Sequence, residues 1–219
     1  EQALIDLGHD DVLDGQVLTA NISSITNLNV DSLNISDLTG IEGFSSLSGL
    51  HFWYNPQLTT LNLSQNFALT SLSGRDCGLI NINFGSISNV KHIDLVGNQL
   101  ITLDLSSFLS LNYLYLRENQ ITSLDVSQNI NLTSLLLSYN QISNLDVSNN
   151  TALTALNCNN NQLPSLDVTN NTALTELDCS NNQLPSLDVT NNTALTELYC
   201  SYNQLPSLDV SDNTTLSSL

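Results

Sequence analysis

Few residues in this chain are equipped for chemistry, and many of those stand at regular intervals. Cys158, Cys179 and Cys200 recur every 21 residues. Thiols can cross-link, bind metal or simply fill space. A disulfide needs two sulfurs that converge, and three thiols in register point the same way. No CxxC spacing and no neighbouring His completes a zinc set. Small buried apolar side chains are therefore the expectation. Asp104, Asp125, Asp146, Asp167, Asp188 and Asp209 form a second column, each within LDV or LDL. Carboxylates about 5 Å apart could hold Ca²⁺. They could equally accept backbone N–H groups just ahead, as Asx-turns do. The segment DDVLDG, residues 10–15, hints at a calcium loop, but Val12 stands where an oxygen ligand is required. Ca²⁺ is the one cofactor this pattern leaves open; no other is expected. Thr151, Thr172, Thr193 and Thr214, beside Thr154, Thr175 and Thr196, could bind ice or could record duplication of one unit. For catalysis there is only His92 beside Asp94. No nucleophile, serine elbow, phosphate loop or metal-ligand spacing joins them, so the chain is not expected to be an enzyme.

What positions these columns is a repeat. The frame L-x-x-L-x-L-x-x-N-x-L-x-x-L-x-V starts at Ile25, Leu47, Leu69, Val90, Leu111, Leu132, Leu153, Leu174 and Leu195, and again at Leu216. The first two periods are 22 residues and the rest 21, with Pro56 in YNPQL accounting for one added residue. Apolar residues at the fourth and sixth positions, such as Leu177 and Cys179, alternate with polar ones. That predicts a short strand with one buried face. Stacked copies make a parallel sheet, and a pair such as Leu187 and Val189 turns the chain back along the opposite wall. One repeat cannot bury its apolar side, whereas a stack can. A 21-residue repeat leaves little room for a helix on that wall, so turns, 3₁₀ or extended segments are expected there.

The ninth position holds Asn55, Asn98, Asn119, Asn140, Asn161, Asn182 and Asn203, with Cys77 in the third repeat and Leu33 in the first. The frame resembles the leucine-rich-repeat (LRR) family over most of the chain. The resemblance implies an asparagine ladder and a right-handed curved solenoid of the α/β class, predominantly β. It implies one parallel sheet on the concave face and few or no full helices outside an N-terminal cap. Nine repeats and the start of a tenth would occupy residues 25–219, and a cap residues 1–24, where Ala3, Leu4 and Leu7 share one helical face. EQALIDLG and DDVLDG, followed by LDVSNNTALT, resemble secreted Bacteroidetes-type LRR surface proteins with 21-residue repeats.

Four positions of the frame, the third, fifth, seventh and eighth, face outward from the strand. All six tyrosines and the only tryptophan fall there. So do two of the three cationic residues, Arg75 and Arg117, with Lys91 where the strand begins. Exposed strands favour Tyr, but that does not explain why Trp and the cations gather on the same face. Trp, Tyr and Arg are enriched at binding hot spots. The candidate ligand face comprises His51, Trp53, Tyr54, Arg75, Asp76, His92, Asp94, Tyr113, Tyr115, Arg117, Glu118 and Tyr139. Gly97 is expected to leave a low spot between Asp76 and Glu118. The last three repeats, near copies of one another, are expected to serve mainly as length, although Tyr199 and Tyr202 keep them in play as part of the face.

Composition narrows the partners. The net charge is −18 with three Lys and Arg in 219 residues, which excludes phosphate-backbone recognition and hence nucleic acid. No apolar run approaches the roughly 18 residues that span a bilayer. The chain begins at Glu1 and contains no Met, so it is expected to be a processed or trimmed product. Acidity, few Lys and abundant Asn and Thr suit an extracellular or cell-surface protein. The expected function is a non-catalytic, adhesin- or receptor-like module binding a protein or glycan on the concave face. On that face Trp53 and Tyr115 could stack sugars, and Asp76, Asp94 and Asn160 could take hydroxyls. A spacer role in a larger surface protein, or ice binding, is the alternative.

Overall fold

The computed structural model describes residues 2–219. Positions three to five of the repeats form three-residue strands with an apolar, buried central residue, and two further strands, Thr60–Asn62 and Asn81–Asn83, lie on the opposite wall. The strands are β1 Asn27–Asn29, β2 Gly49–His51, β3 Thr60–Asn62, β4 Ser71–Ser73, β5 Asn81–Asn83, β6 His92–Asp94, β7 Tyr113–Tyr115, β8 Ser134–Leu136, β9 Ala155–Asn157, β10 Glu176–Asp178 and β11 Glu197–Tyr199. All except β3 and β5 make one nine-stranded parallel sheet in chain order. Leu114, Leu135, Leu156, Leu177 and Leu198 lie directly beside one another in register. Each is fully buried. Ser218 bridges to Glu197 where the tenth repeat starts. The predicted parallel-sheet solenoid is what the chain forms.

The opposite wall is extended or turned, with one addition to the expected single sheet. β3 and β5 pair across the second and third repeats, and the Asn83 amide donates to Asn62 Oδ1 at 3.1 Å. Among the described residues helix is confined to three short pieces: α1 Gln2–Asp6, α2 Thr19–Ile22 and a 3₁₀ turn at Ile41–Gly43. Glu1, part of the expected cap, lies outside the described residues. Among residues 2–24 Ile22 is buried and Leu4 and Val17 pack on the core, whereas Leu7 is exposed.

Side-chain ladders tie each repeat to its neighbour. The Asn140 amide donates to Leu116 O of the preceding repeat and to Leu137 O of its own, while its Oδ1 accepts from Ile121 N–H. Asn98, Asn119, Asn161, Asn182 and Asn203 repeat the pattern. Cys77 keeps only the donor half: its thiol donates to Phe52 O at 3.1 Å. The Leu58 N–H, deprived of an amide acceptor, turns to Asn55 O. This is where Pro56 adds its residue, and a Cβ on Gly78 would stand 2.5 Å from Pro56 O.

A second ladder went unnoticed in the sequence. Asn66, Asn129, Asn150, Asn171, Asn192 and Asn213 are buried on the opposite wall. Asn171 donates to Val147 O at 3.0 Å and Asn150 O at 2.9 Å. Phe44, Ile87 and Phe108 fill the same column in other repeats and are also buried. The aspartate column makes the Asx-turns: Asp104, Asp125, Asp146, Asp167, Asp188 and Asp209 each accept the N–H two residues ahead. Thr154, Thr175 and Thr196 hydroxyls donate to carbonyls one repeat earlier. The cysteines are free thiols. Cys158 and Cys179 are fully buried, and burial pushes the Cys158 thiol up to about 12. They pack as small apolar side chains, as expected.

Candidate binding face

The twelve candidate residues all stand on the strands of the long sheet or in the turn that follows each. β2, β4, β6, β7 and β8 are hydrogen-bonded neighbours, which brings repeats two to six side by side. Two contact groups result. In the first, the Arg75 guanidinium lies 5.0 Å from the Trp53 ring centre, a cation–π contact. The Trp53 indole N–H donates to Ser73 Oγ at 2.6 Å, and the Trp53 backbone N–H donates to Asp31 Oδ1 at 2.6 Å. His51 meets the Trp53 ring edge-on at 6.5 Å. In the second, His92 sits 5.7 Å from Tyr113 and 5.5 Å from Tyr115, and those two rings are 6.4 Å apart.

Asp94 joins the groups from beneath. Its Oδ2 accepts from Arg75 Nε and lies 2.6 Å from Arg75 Nη2. The Asp94 side chain is only 3 % exposed, which corrects its place on the outward surface: Arg75 covers it. Asp94 Oδ1 and Arg117 Nε are buried without a hydrogen-bond partner. The Asp94 hydrogen bond raises the Arg75 guanidinium further, and burial lowers the His92 imidazole from its ordinary 6.5 while Asp94 opposes the shift.

The expected low spot at Gly97 is filled. A Cβ there would stand 2.3 Å from Asp76 Oδ1, so the Asp76 carboxylate lies over the glycine. Gly74 is the other glycine that the face requires: a Cβ there would meet the Phe52 ring at 2.1 Å. Phe52 is thus seated inward against Gly74. Tyr54, Asp76, Glu118 and Tyr139 occupy the eighth position, at the edge of the face, and are exposed. Glu118 lies 4.0 Å from Arg117.

Sequence reasoning missed the polar cluster of the later repeats. Asp178 takes hydrogen bonds from Asn157, Asn159 and Ser180 side chains, and Asn160 donates to Asn159 Oδ1 at 2.9 Å. Its only signal was Asn and Asp at alternate outward positions of adjacent repeats. His92 and Asp94 form no acid–base pair with a nucleophile, because Asp94 is committed to Arg75. Among the described residues no group of three or more His, Cys, Asp or Glu could hold a metal. No described helix is long and apolar enough to cross a membrane.

By fold the protein is a leucine-rich-repeat solenoid. It superposes on the functional domain of InlJ from Listeria monocytogenes with a TM-score of 0.71 at 34 % identity, over 91 % of this chain and 49 % of that one. That structure is described as including a cysteine ladder, the feature that Cys158, Cys179 and Cys200 form here. A leucine-rich-repeat protein of Leptospira interrogans gives a TM-score of 0.84 at 24 % identity, over 92 % and 55 % of the two chains. Internalin C2 of L. monocytogenes gives 0.69 at 21 %, over 91 % and 82 %. The chain spans about half the length of the first two of these neighbours. No protein-family model and no curated protein sequence matches it.

Proposed function

We propose that this protein is a non-catalytic recognition module, extracellular or on the cell surface, that binds a protein partner across the outward face of its long sheet. The observation that carries the reading is the pair of neighbouring groups on adjacent repeats, Trp53 with Arg75 and His92 with Tyr113 and Tyr115, the first of them closing over the buried Asp94 carboxylate. Aromatic and Arg anchors on a partly desolvated patch are the composition of protein hot spots. The Arg75 guanidinium covers one face of the Trp53 ring, which leaves that ring poorly placed to stack a sugar. The 34 % identity to the functional domain of InlJ, over 91 % of this chain, supports a leucine-rich-repeat recognition module. The N-terminal likeness to secreted Bacteroidetes-type LRR proteins belongs with this proposal.

A surface-protein array probed with wild type and with Trp53→Ala/Arg117→Ala tests it. Wild type should bind at least one protein, the double variant should lose it, and high salt should weaken an interaction that uses Arg117. Equal binding by both proteins, or no binding by either, would sink the assignment.

A further inference from the structure

The eighth position of each repeat is left-handed. From the second to the ninth repeat φ is 55° at Tyr54, 52° at Asp76, 69° at Gly97, 55° at Glu118, 57° at Tyr139, 52° at Asn160, 53° at Asn181 and 54° at Tyr202. The sheet imposes this geometry. Each of these N–H groups donates to the seventh residue of the next repeat where one follows, from Tyr54 to Arg75 O and from Asn181 to Ser201 O at 2.9 Å. Glycine adopts it freely, and Asn and Asp tolerate it; a bulky side chain is disfavoured. Gly97, Asp76, Asn160 and Asn181 follow that rule; Glu118 and three tyrosines do not.

Packing does not compensate the tyrosines. Tyr54, Tyr139 and Tyr202 are 55 %, 53 % and 80 % exposed. They share one line along the edge of the sheet. At about 4.8 Å per strand, Tyr54 and Tyr139 are roughly 19 Å apart and Tyr139 and Tyr202 roughly 14 Å. The positions between them carry Asp76, Gly97, Glu118, Asn160 and Asn181: carboxylates and amides, with no aliphatic side chain and no cation. A protein contact needs an apolar centre, which this row lacks. A polyanion is repelled by a chain of net charge −18. Sugar rings stack on aromatic faces, and their hydroxyls bond to carboxylates and amides. The tyrosines are unevenly spaced, but the row itself advances one position per strand, so a ligand that repeats can meet several of its polar groups at once.

We propose that this edge is a second binding site, for a neutral linear glycan lying along the long axis of the solenoid, with Tyr54, Tyr139 and Tyr202 as stacking platforms. It is separate from the protein-binding patch, although Tyr54 and Tyr139 border both.

The test uses cello- and chito-oligosaccharides of increasing length as probes, titrated calorimetrically into wild type, Tyr139→Asn, Tyr202→Asn and the pair, with thermal unfolding of each. Long chains should bind more tightly than short ones. Each substitution should weaken binding about two- to tenfold, the worth of one aromatic contact, while the thermal midpoint holds or rises. Trp53→Ala/Arg117→Ala should bind the oligosaccharides as wild type does, which keeps this site's failure distinct from that of the patch. Three results would overturn the proposal: no oligosaccharide binds, the Asn variants bind undiminished, or their thermal midpoints fall. Binding of poly-lysine in place of the sugars, abolished by salt, would instead mark the edge as an electrostatic surface for a basic protein.

Discussion

Asp94 has one strong partner, Arg75, and the pair closes the centre of the sheet face. Removing one member of a buried pair strands the other, at a cost of about 3–5 kcal/mol when both are buried. The Arg75 side chain is 40 % exposed, so Arg75→Ala should cost less, about 2 kcal/mol in urea denaturation. Asp94→Asn added to that variant should recover part of the loss, because it removes the stranded charge. His92 provides a second measurement. Burial sets its folded pKa below 6.5, so the unfolded chain takes up the proton first. Its contribution to stability is therefore present above pH 6.5 and lost as pH falls through the folded value. An NMR titration of His92 should show a midpoint below 6.5, and lower still in Asp94→Asn, where the opposing carboxylate is gone. The sequence placed Trp53, Arg75, His92 and Tyr115 together because the repeat aligns their columns. It did not disclose that Asp94 is covered or that Asp76 fills the space over Gly97. Both depend on how a long side chain folds across a neighbouring strand, which no single-column pattern records.

Each strand is three residues long, too short to hold a register alone, so the ladders matter more than the strands. Asn171 donates to Val147 O and Asn150 O, each of which also accepts one backbone N–H, so the side chain adds a second hydrogen bond to each carbonyl. Asn171→Ala should cost about 1–3 kcal/mol, the loss of two buried hydrogen bonds at about 0.5–1.5 kcal/mol each, measured by chemical denaturation. The inner ladder at Asn140 was legible because its column punctuates an apolar frame. The outer one was not: Asn171 stands beside the exposed Asn170 in a string of polar residues, and nothing local separates the buried amide from the solvated one. The aspartate column makes a pH prediction. Hydrogen bonds from the Ser127 hydroxyl and N–H hold the Asp125 carboxyl below the ordinary 3.8, and the equivalent bonds do the same for Asp104, Asp146, Asp167, Asp188 and Asp209. Depressed folded values mean that this stabilisation is complete above pH 3.8 and is lost as pH falls through them. The denaturation midpoint should drop with acidification below pH 3.8. Asp125→Asn/Asp146→Asn, which keep an acceptor for the turn, should flatten that slope.

Across the whole molecule the net charge is −18 and only three side chains are Lys or Arg. Self-repulsion on this scale opposes the compact state. Added sodium chloride screens it, so the thermal midpoint should rise with ionic strength; a fall would mean that the Arg75–Asp94 pair outweighs the general repulsion. The bonds that join repeats obey a further rule. The amides of Asn161 and Asn182 reach back to Leu137 and Cys158, and Thr175 and Thr196 reach to Thr154 and Thr175, always the adjacent turn of the coil. Such a chain can be telescoped. Excising residues 162–182 would bring Gln183 to the place of Gln162, and every donor downstream would find the same kind of acceptor. Cutting one residue fewer would move each side chain to the wrong wall. Length is thus free to vary in whole turns, so a lineage could lengthen or shorten this surface by slippage in its own gene without having to relearn how to fold.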